Sequence, residues 1–504
     1  MPADGVRADG SGRRAVLLGA ASLALLVLLA ALGDSAAVPG LGPATPSPPW
    51  DVAAHPDSAT VTVLGMLAYL LGGLAVWSGL RGLRGLGEAS TRWPDGVLPL
   101  RWWLAAGIGA ALLLTLVPPA GSADHLSYLA YGRISAAGDD AYLVAPIDWR
   151  GGTDPVAGAV QPPWQHTPSV YGPLATALFA LVARLGGGSL RLSVWCWSLV
   201  CALAFVAVAV LLDRVHRGDD AARARAAVLW TLNPVVLGQL VLGAHVDVVA
   251  TAVAVTGLVV AARWPAPAGM LLGAAAAVKA PYALFGLAVV WSLRAVSADQ
   301  RRRVLANGLF GAVLVVVPAY AWAGPHVADQ LRTASGFTSI ASPWRAVVNL
   351  VELAAGRGAM RAVVVPLALL ATAGLVWLLR DRLGELVRRA RAVPGGEAAA
   401  AAVMLCIAWV LCAPYALPWY DAMIWAPLAL VPAAGTLAGL ESVLLVRLTV
   451  LSLAYLPGRV VGLSPTVETV TLGFRRYVAP VVLLSAVLAV VRWAAAGRHR
   501  SPGP

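Results

Sequence analysis

Residues Gly121 to Leu174 read GSADHLSYLAYGRISAAGDDAYLVAPIDWRGGTDPVAGAVQPPWQHTPSVYGPL, and they interrupt a chain that is otherwise strongly apolar. The stretch holds five carboxylates (Asp124, Asp139, Asp140, Asp148 and Asp154), two histidines, two tryptophans and four tyrosines. On either side the sequence is greasy helix. Ionisable groups and aromatic faces therefore meet here beside a membrane, and any chemistry is expected in this segment.

Working outward, 59% of the residues are hydrophobic and only 12% charged, with a mean hydropathy of +0.76. That is too apolar for an ordinary soluble protein. Apolar runs of roughly 15 to 22 residues recur, close to the ~20 residues that cross a bilayer core. The chain reads as an all-α polytopic membrane protein; the short alternating strands of a membrane barrel are not seen. The net charge of +12 does not point to nucleic acid, because the basic residues fall mostly in short turns between apolar runs. Nearly all of them are Arg, with Lys279 the only lysine; together with the Ala, Gly and Val excess this suggests a GC-rich bacterial genome. The four cysteines lie inside apolar runs without metal-ligand spacing and read as small core residues.

The first apolar run, Ala15 to Gly33, follows Arg13-Arg14. It exceeds the ~7–15 residues of a signal-peptide core, so it reads as a retained anchor, with cleavage near Ser35-Ala36-Ala37 as the alternative. Val38 to Pro56 lacks Lys and Arg and reads as an outer loop. Thr60 to Leu80 ends at Arg81, Arg84, Arg92 and Arg101, a cytoplasmic signature, and Trp102 to Val117 then leads outward to the central stretch. Inner turns recur at Arg214 to Arg225, at Arg294 to Arg303 and at Arg380 to Arg391. Outer segments are Gly324 to Met360 and the turn PYALPWYD, Pro414 to Asp421, ahead of a run over Ala422 to Thr436. Arg332, Arg345, Arg357, Arg459, Arg475 and Arg476 are arginines on the outer side. The tally is about fourteen spans with both termini inside, the basic tail carrying Arg498 and Arg500. Pro173 to Gly186 is apolar yet short and reads as a juxtamembrane or re-entrant helix.

Four constellations stand out. If Asp124 to Ser135 is helical, Asp124, Tyr128, Tyr131 and Ser135 share one face. A carboxylate followed by phenols suits sugar recognition, and a helix cap or solvated charge explains Asp124 equally well. His245 and Asp247 sit between two apolar runs, where a charge needs a partner or a role; a plain turn is the other reading. Lys279 could snorkel to headgroups or hold a phosphate as a point charge. Trp419 and Tyr420 follow the helix-ending Pro418 and would fit an interfacial aromatic belt. No P-loop, GxGxxG, HExxH or GxSxG context is present.

The ordered motifs SADHLSYLAYG, DDAYLVAP, SVYGPL, LNPVVLGQLVLGAHVD, AVKAPYALFG and ALPWYDAMIWAPLAL resemble those of the actinobacterial polyprenol-phosphomannose-dependent α-1,6-mannosyltransferases, members of the GT-C class. The resemblance covers roughly Pro118 to Pro432. It implies a GT-C fold of about 13–14 transmembrane helices with a large first extracytoplasmic loop carrying juxtamembrane helices. The implied donor is polyprenyl-phosphate-mannose, the implied acceptor a mannan glycolipid of lipomannan type, and the implied place the outer face of the plasma membrane. Asp124 matches the family's essential acid and would be the general base of an inverting transfer. Tyr171 to Leu174 match its Tyr-Gly-Pro-Leu, His245 and Asp247 its His-Asn-acid motif, Lys279 its lysine before proline, and Pro418 to Tyr420 its Pro-Trp-Tyr. The substrate-binding set is then Tyr128, Tyr131, Tyr142, Tyr171, His245, Asp247, Lys279, Trp419 and Tyr420. Some GT-C enzymes use a divalent metal, Mg2+ or Mn2+, but no ligand cluster here demands one. Two positions depart from the pattern: Val246 stands where the family usually has Asn, and Asp140-Ala141-Tyr142 where it usually has Asp-Pro-Tyr or Asn-Pro-Tyr.

On this reading residues 1–117 are N-terminal transmembrane helices and 118–189 the extracytoplasmic catalytic loop. Residues 190–323 are central helices, 324–360 a second outer loop, and 361–504 the C-terminal helices with a basic cytoplasmic tail. Two alternatives stay open: a GT-C enzyme using another lipid-linked sugar such as arabinose, and a lipid-linked-sugar flippase.

Overall fold

Apolar runs broken by Pro, Gly and capping residues become helices whose ends fall where those residues stand. Ser189 caps one N-terminus by accepting from the Leu192 amide, Asp219 caps another through the Ala222 amide, and Asn233 caps a third through those of Val235 and Val236. Pro173, Pro234, Pro265 and Pro465 each occupy a first helical turn, where the missing N–H costs nothing. The computed structural model describes residues 5–43, 45–85, 99–356, 360–432 and 437–498. Arg92, Arg357 and Arg500, and the end of the run expected over Ala422 to Thr436, lie outside the described residues.

The helices in order are α1 (Gly5–Ala31), α2 (Ser58–Gly85), α3 (Trp103–Leu114), α4 (Asp124–Ala136), α5 (Pro173–Gly186), α6 (Leu190–Val215), α7 (Asp220–Ala226), α8 (Pro234–Leu237), α9 (Asp247–Val260) and α10 (Pro265–Val278). Then come α11 (Ala283–Ser292), α12 (Ala298–Ala323), α13 (His326–Ala334), α14 (Trp344–Ala355), α15 (Met360–Ala390), α16 (Gly396–Cys412), α17 (Ala422–Leu430), α18 (Ala438–Ala454), α19 (Pro465–Gly473) and α20 (Ala479–Arg498). Wider π turns flank α8, at Ala227–Thr231 and Gly238–Leu242. No strand occurs among the described residues. Seven helices among them are long and apolar enough to cross a membrane, and six more apolar helices have 10–17 residues. The protein is an all-α polytopic membrane protein.

Hydrogen bonds sort the helix ends onto two faces. On one, the loop after α1 meets the loop before α4 (Gly121 N–H to Ala37 O, 2.9 Å). There Arg459 also reaches Asp34 at 3.0 Å and Gln161 at 2.8 Å, Arg191 reaches Asp51 at 3.1 Å, and Ser339 hydrogen-bonds Ala416. On the opposite face Glu441 collects Arg225 at 2.6 Å and Arg84 at 2.7 Å, while Arg382 donates to the Trp493 carbonyl. The outer segments expected from the sequence gather on the first face and the arginine-rich turns on the second. α5 does not cross. Its N-terminus is held at Val278 O by Gly172 N–H, and just past its C-terminus Gly187 O accepts from Arg133 of α4 at 2.9 Å. Both ends lie on the first face, as either a juxtamembrane or a re-entrant helix requires.

Two close approaches position this layer. At Gly132 an added Cβ would run into the Phe179 carbonyl, so α4 lies against the α5 backbone. At Gly172 it would meet the Ala277 carbonyl, which keeps Tyr171 beside the end of α10.

Candidate active site

A cavity of about 420 Å³ opens on the first face, between α4, the ends of α10 and α16, the Pro414–Tyr420 turn, α13 and α15. That volume lies within the range of small-molecule sites. Its polar wall is Asp124, Ser127, Tyr131, Tyr171, Lys279 and Tyr420. Its other limb is apolar, running past Leu331, Val365, Ala368 and Ala413 to Leu369, which is 62% exposed on the outside of α15.

Asp124 is the first residue of α4, its amide donating to Ser122 Oγ at 3.1 Å. Burial pushes its carboxyl up to about 6; the nearby Asp247 charge adds to the rise, and Lys279 opposes it. Lys279 follows the last residue of α10, where Pro281 stops the helix. Its ammonium donates to both oxygens of Asp247 at 2.8 Å and lies 3.9 Å from the ring centroid of Tyr420. Lysine does not snorkel here: it is clamped between a carboxylate and a phenol ring while lining the cavity. Asp247 is fully buried behind it, held by Lys279 rather than open to a ligand.

His245 is 1% exposed and stacks on Trp419, ring centroids 3.7 Å apart. Its Nδ1 donates to the Gln239 carbonyl at 2.5 Å. That carbonyl sits in the π turn Gly238–Leu242, the kind of local widening that recurs at functional sites. The preceding Ala244 takes a left-handed φ of 52°, strained for a residue with a Cβ. His245 Nε2 has no partner and faces Asp124 Oδ2 at 3.9 Å.

The structure thus brings Asp124, Tyr131, Tyr171, Lys279, Trp419 and Tyr420 to the cavity wall, with His245 and Asp247 directly behind. Two expected members stand elsewhere. Tyr128 stacks on Phe179 (ring centroids 5.0 Å apart) and meets Trp197 and Tyr171 edge-on; it belongs to the aromatic packing under α4. The cavity-facing side of α4 is Asp124, Ser127 and Tyr131, spaced i, i+3 and i+7. Tyr142 hydrogen-bonds Thr176 of α5 at 2.9 Å, and its carbonyl accepts from Gln330 of α13. The other acids of the loop are spread out rather than convergent. Asp139 accepts from Trp149, Asp140 bonds His326, and Asp154 takes Arg133 together with the Val156 and Ala157 amides. Among the described residues no three His, Cys, Asp or Glu side chains gather as a metal site. With both Asp247 oxygens on Lys279, one free carboxylate does not make a divalent-cation site.

Sequence reasoning missed the pair behind the turn. Asp421 and Arg447, each 1% exposed at the side chain, form an ion pair, and Arg447 also donates to Val410 O of α16. The signal was present, an arginine inside the apolar run of α18.

An all-helical membrane protein with an acid and a lysine facing one open cavity is the class this architecture defines. The chain belongs to the family described as alpha-(1->6)-mannopyranosyltransferase, N-terminal domain, which matches residues 16–295. It is 28% identical over 219 residues to alpha-(1->6)-mannopyranosyltransferase B of Corynebacterium glutamicum, covering 40% of this chain and 36% of that protein. It is 30% identical over 152 residues to an alpha-(1->6)-mannopyranosyltransferase of Mycobacterium tuberculosis, covering 30% of this chain and 26% of that protein. The matched segments therefore span only about a quarter to a third of these relatives. No solved structure matches the chain.

Proposed function

We propose that the protein transfers mannose from polyprenyl-phosphate-mannose to an α-1,6-mannan glycolipid. The observation that carries this reading is the cavity's construction: a partly buried carboxylate and a lysine ammonium share a polar wall that continues into an apolar limb reaching the exposed outside of α15. A sugar held on a phosphate with a long hydrocarbon tail has those three chemistries in that order. The names of the two relatives support the sugar and the linkage.

Asp124 takes the proton of an acceptor hydroxyl, whose oxygen attacks the anomeric carbon from the side opposite the phosphate. The bond to the phosphate oxygen breaks and its electron pair leaves with polyprenyl phosphate. A β-linked donor then yields an α-mannoside. Lys279, oriented by Asp247 and the Tyr420 ring, keeps its remaining N–H for the leaving phosphate, where charge develops in the transition state. Tyr131 and Tyr171 offer ring faces to the sugar, Tyr131 being fixed by donating to the Thr167 carbonyl at 2.9 Å. The arginine-rich turns lie on the face opposite the cavity. By the positive-inside bias that face is cytoplasmic, so the site faces the outside of the plasma membrane.

The test is conversion of labelled donor by purified protein in detergent, where translocation has no meaning. Mannose transfer to a short α-1,6-mannoside supports the reading. Transfer only from a lipid-linked arabinose changes the substrate, and no transfer from any lipid-linked sugar leaves a flippase.

A further inference from the structure

His245 is bound in a way that positioning alone does not explain. Its Nδ1 faces a carbonyl, which can only accept, so the ring carries its hydrogen on Nδ1 and, when neutral, a lone pair on Nε2. That lone pair is buried, has no partner, and faces the Asp124 carboxyl at 3.9 Å. Two acceptors turned toward each other in an apolar site repel unless a proton lies between them. The ring itself cannot turn away. It is stacked on Trp419, anchored to the π turn, and aimed by the left-handed Ala244. Asp124 retains freedom, its side chain being 18% exposed to the cavity.

We infer that Asp124 and His245 act as one proton-sharing pair, in which the Nε2 lone pair of His245 accepts a hydrogen bond from the Asp124 carboxylic acid once Asp124 has taken the proton of the acceptor hydroxyl. This rests on the transferase reading for its substrate, while the pair itself rests on geometry alone. The 3.9 Å gap exceeds a hydrogen bond by about 1 Å, a distance that side-chain rotation of Asp124 closes. In balance, the acceptor O–H bond breaks and its proton passes to Asp124 Oδ2, where it is shared in a hydrogen bond to Nε2. The acceptor oxygen bonds the anomeric carbon, the phosphate leaves with the electron pair of the broken bond, and Asp124 loses its proton to water after product departs. His245 is thus a positioning residue that acts through Asp124.

The other charged groups facing this pair are Lys279 and Asp247, which neutralise each other. The phenols of Tyr128, Tyr131, Tyr171, Tyr415, Tyr420 and Tyr455 also face Asp124, and His125 faces His245. Burial keeps the phenols neutral throughout the working range, and burial together with the Arg459 charge keeps the His125 ring neutral as well.

The experiment titrates Asp124 directly, by the infrared carboxylic-acid stretch of the full-length protein in detergent, taken as the difference from Asp124→Asn. His245→Asn keeps a donor for the Gln239 carbonyl and removes Nε2; His245→Gln places an amide, which takes no proton, near the Nε2 position. A shared proton predicts that His245→Asn moves the Asp124 midpoint down by about one pH unit, because the neutral acid loses its acceptor, and that His245→Gln, whose amide oxygen is a weaker acceptor, moves it down by less. The acid limb of kcat shifts by the same amount. kcat falls on the order of a hundredfold, with KM for polyprenyl-phosphate-mannose unchanged. An unmoved infrared midpoint in both variants overturns the pair, whatever the rates do. A moved midpoint in a protein that transfers no mannose keeps the pair and discards the mannosyltransferase reading.

Discussion

Replacing Arg447 with methionine tests the buried node behind the site. Both members of the Asp421–Arg447 pair are 1% exposed, and removing one leaves the other charged in an apolar surround. Breaking a buried pair in this way costs about 3–5 kcal/mol, whereas exchanging both members for apolar residues of similar volume is often neutral. Here the single loss belongs at the upper end of that range, because Asp421 Oδ2 already lacks a partner and Arg447 also satisfies the Val410 carbonyl. The double variant Asp421→Leu with Arg447→Met should recover most of it, leaving about 1–3 kcal/mol for the unpaired carbonyl. The assay is denaturant unfolding in mixed micelles followed by tryptophan fluorescence. Because Trp419 and Tyr420 immediately precede Asp421, donor turnover of the single variant should fall alongside its stability. An Arg447→Met protein within about 1 kcal/mol of wild type, or a double variant no better than the single, would refute the reasoning.

Further outcomes follow from other contacts. The Asp124 carboxyl, raised by burial to about 6, must be ionised to act as base, so kcat should climb as pH rises through about 6 and level off above it. The same shift means the folded state holds this proton more tightly than the unfolded chain. Its contribution favours folding below about 4 and is lost as pH rises to about 6, which pH-dependent unfolding curves will show. Lys279→Met should lower kcat by about 10²–10³ if the ammonium stabilises the leaving phosphate, read from steady-state kinetics at saturating donor. Gly132→Ala should cost about 1–3 kcal/mol, because the new Cβ meets the Phe179 carbonyl and pushes α4 off α5. Thermal unfolding in detergent checks it, and an unchanged melting temperature would mean the helices separate freely.

Much of this architecture was legible in the chain. Hydropathy gave the helices, the arginine turns separated the two faces, and the length of Pro173 to Gly186 marked α5 as a helix that does not cross. Asp124 stood out because an acid just after Pro118-Pro119, at the end of an apolar run, is expected at a membrane boundary. Helical spacing grouped Tyr128 with Asp124 but could not show which flank of that face meets the cavity. Phe179 and Trp197 claim the Tyr128 side, and the small Ser127 is left at the wall. The pairing of Lys279 with Asp247 joins residues 32 apart, and no local pattern signals it. The clamp on His245 depends on a π turn that residue propensities do not encode, and it emerges only once the backbone is seen.

In the proposed mannosyl transfer Asp124 is the base. Purified wild-type protein and the isosteric Asp124→Asn variant, at matched amounts and folded state, should be given labelled polyprenyl-phosphate-mannose and a short α-1,6-mannoside. Wild type should give an α-1,6-extended product, and the variant a rate at least about a hundredfold lower, if Asp124 is the base. A fully active Asp124→Asn protein would contradict that role.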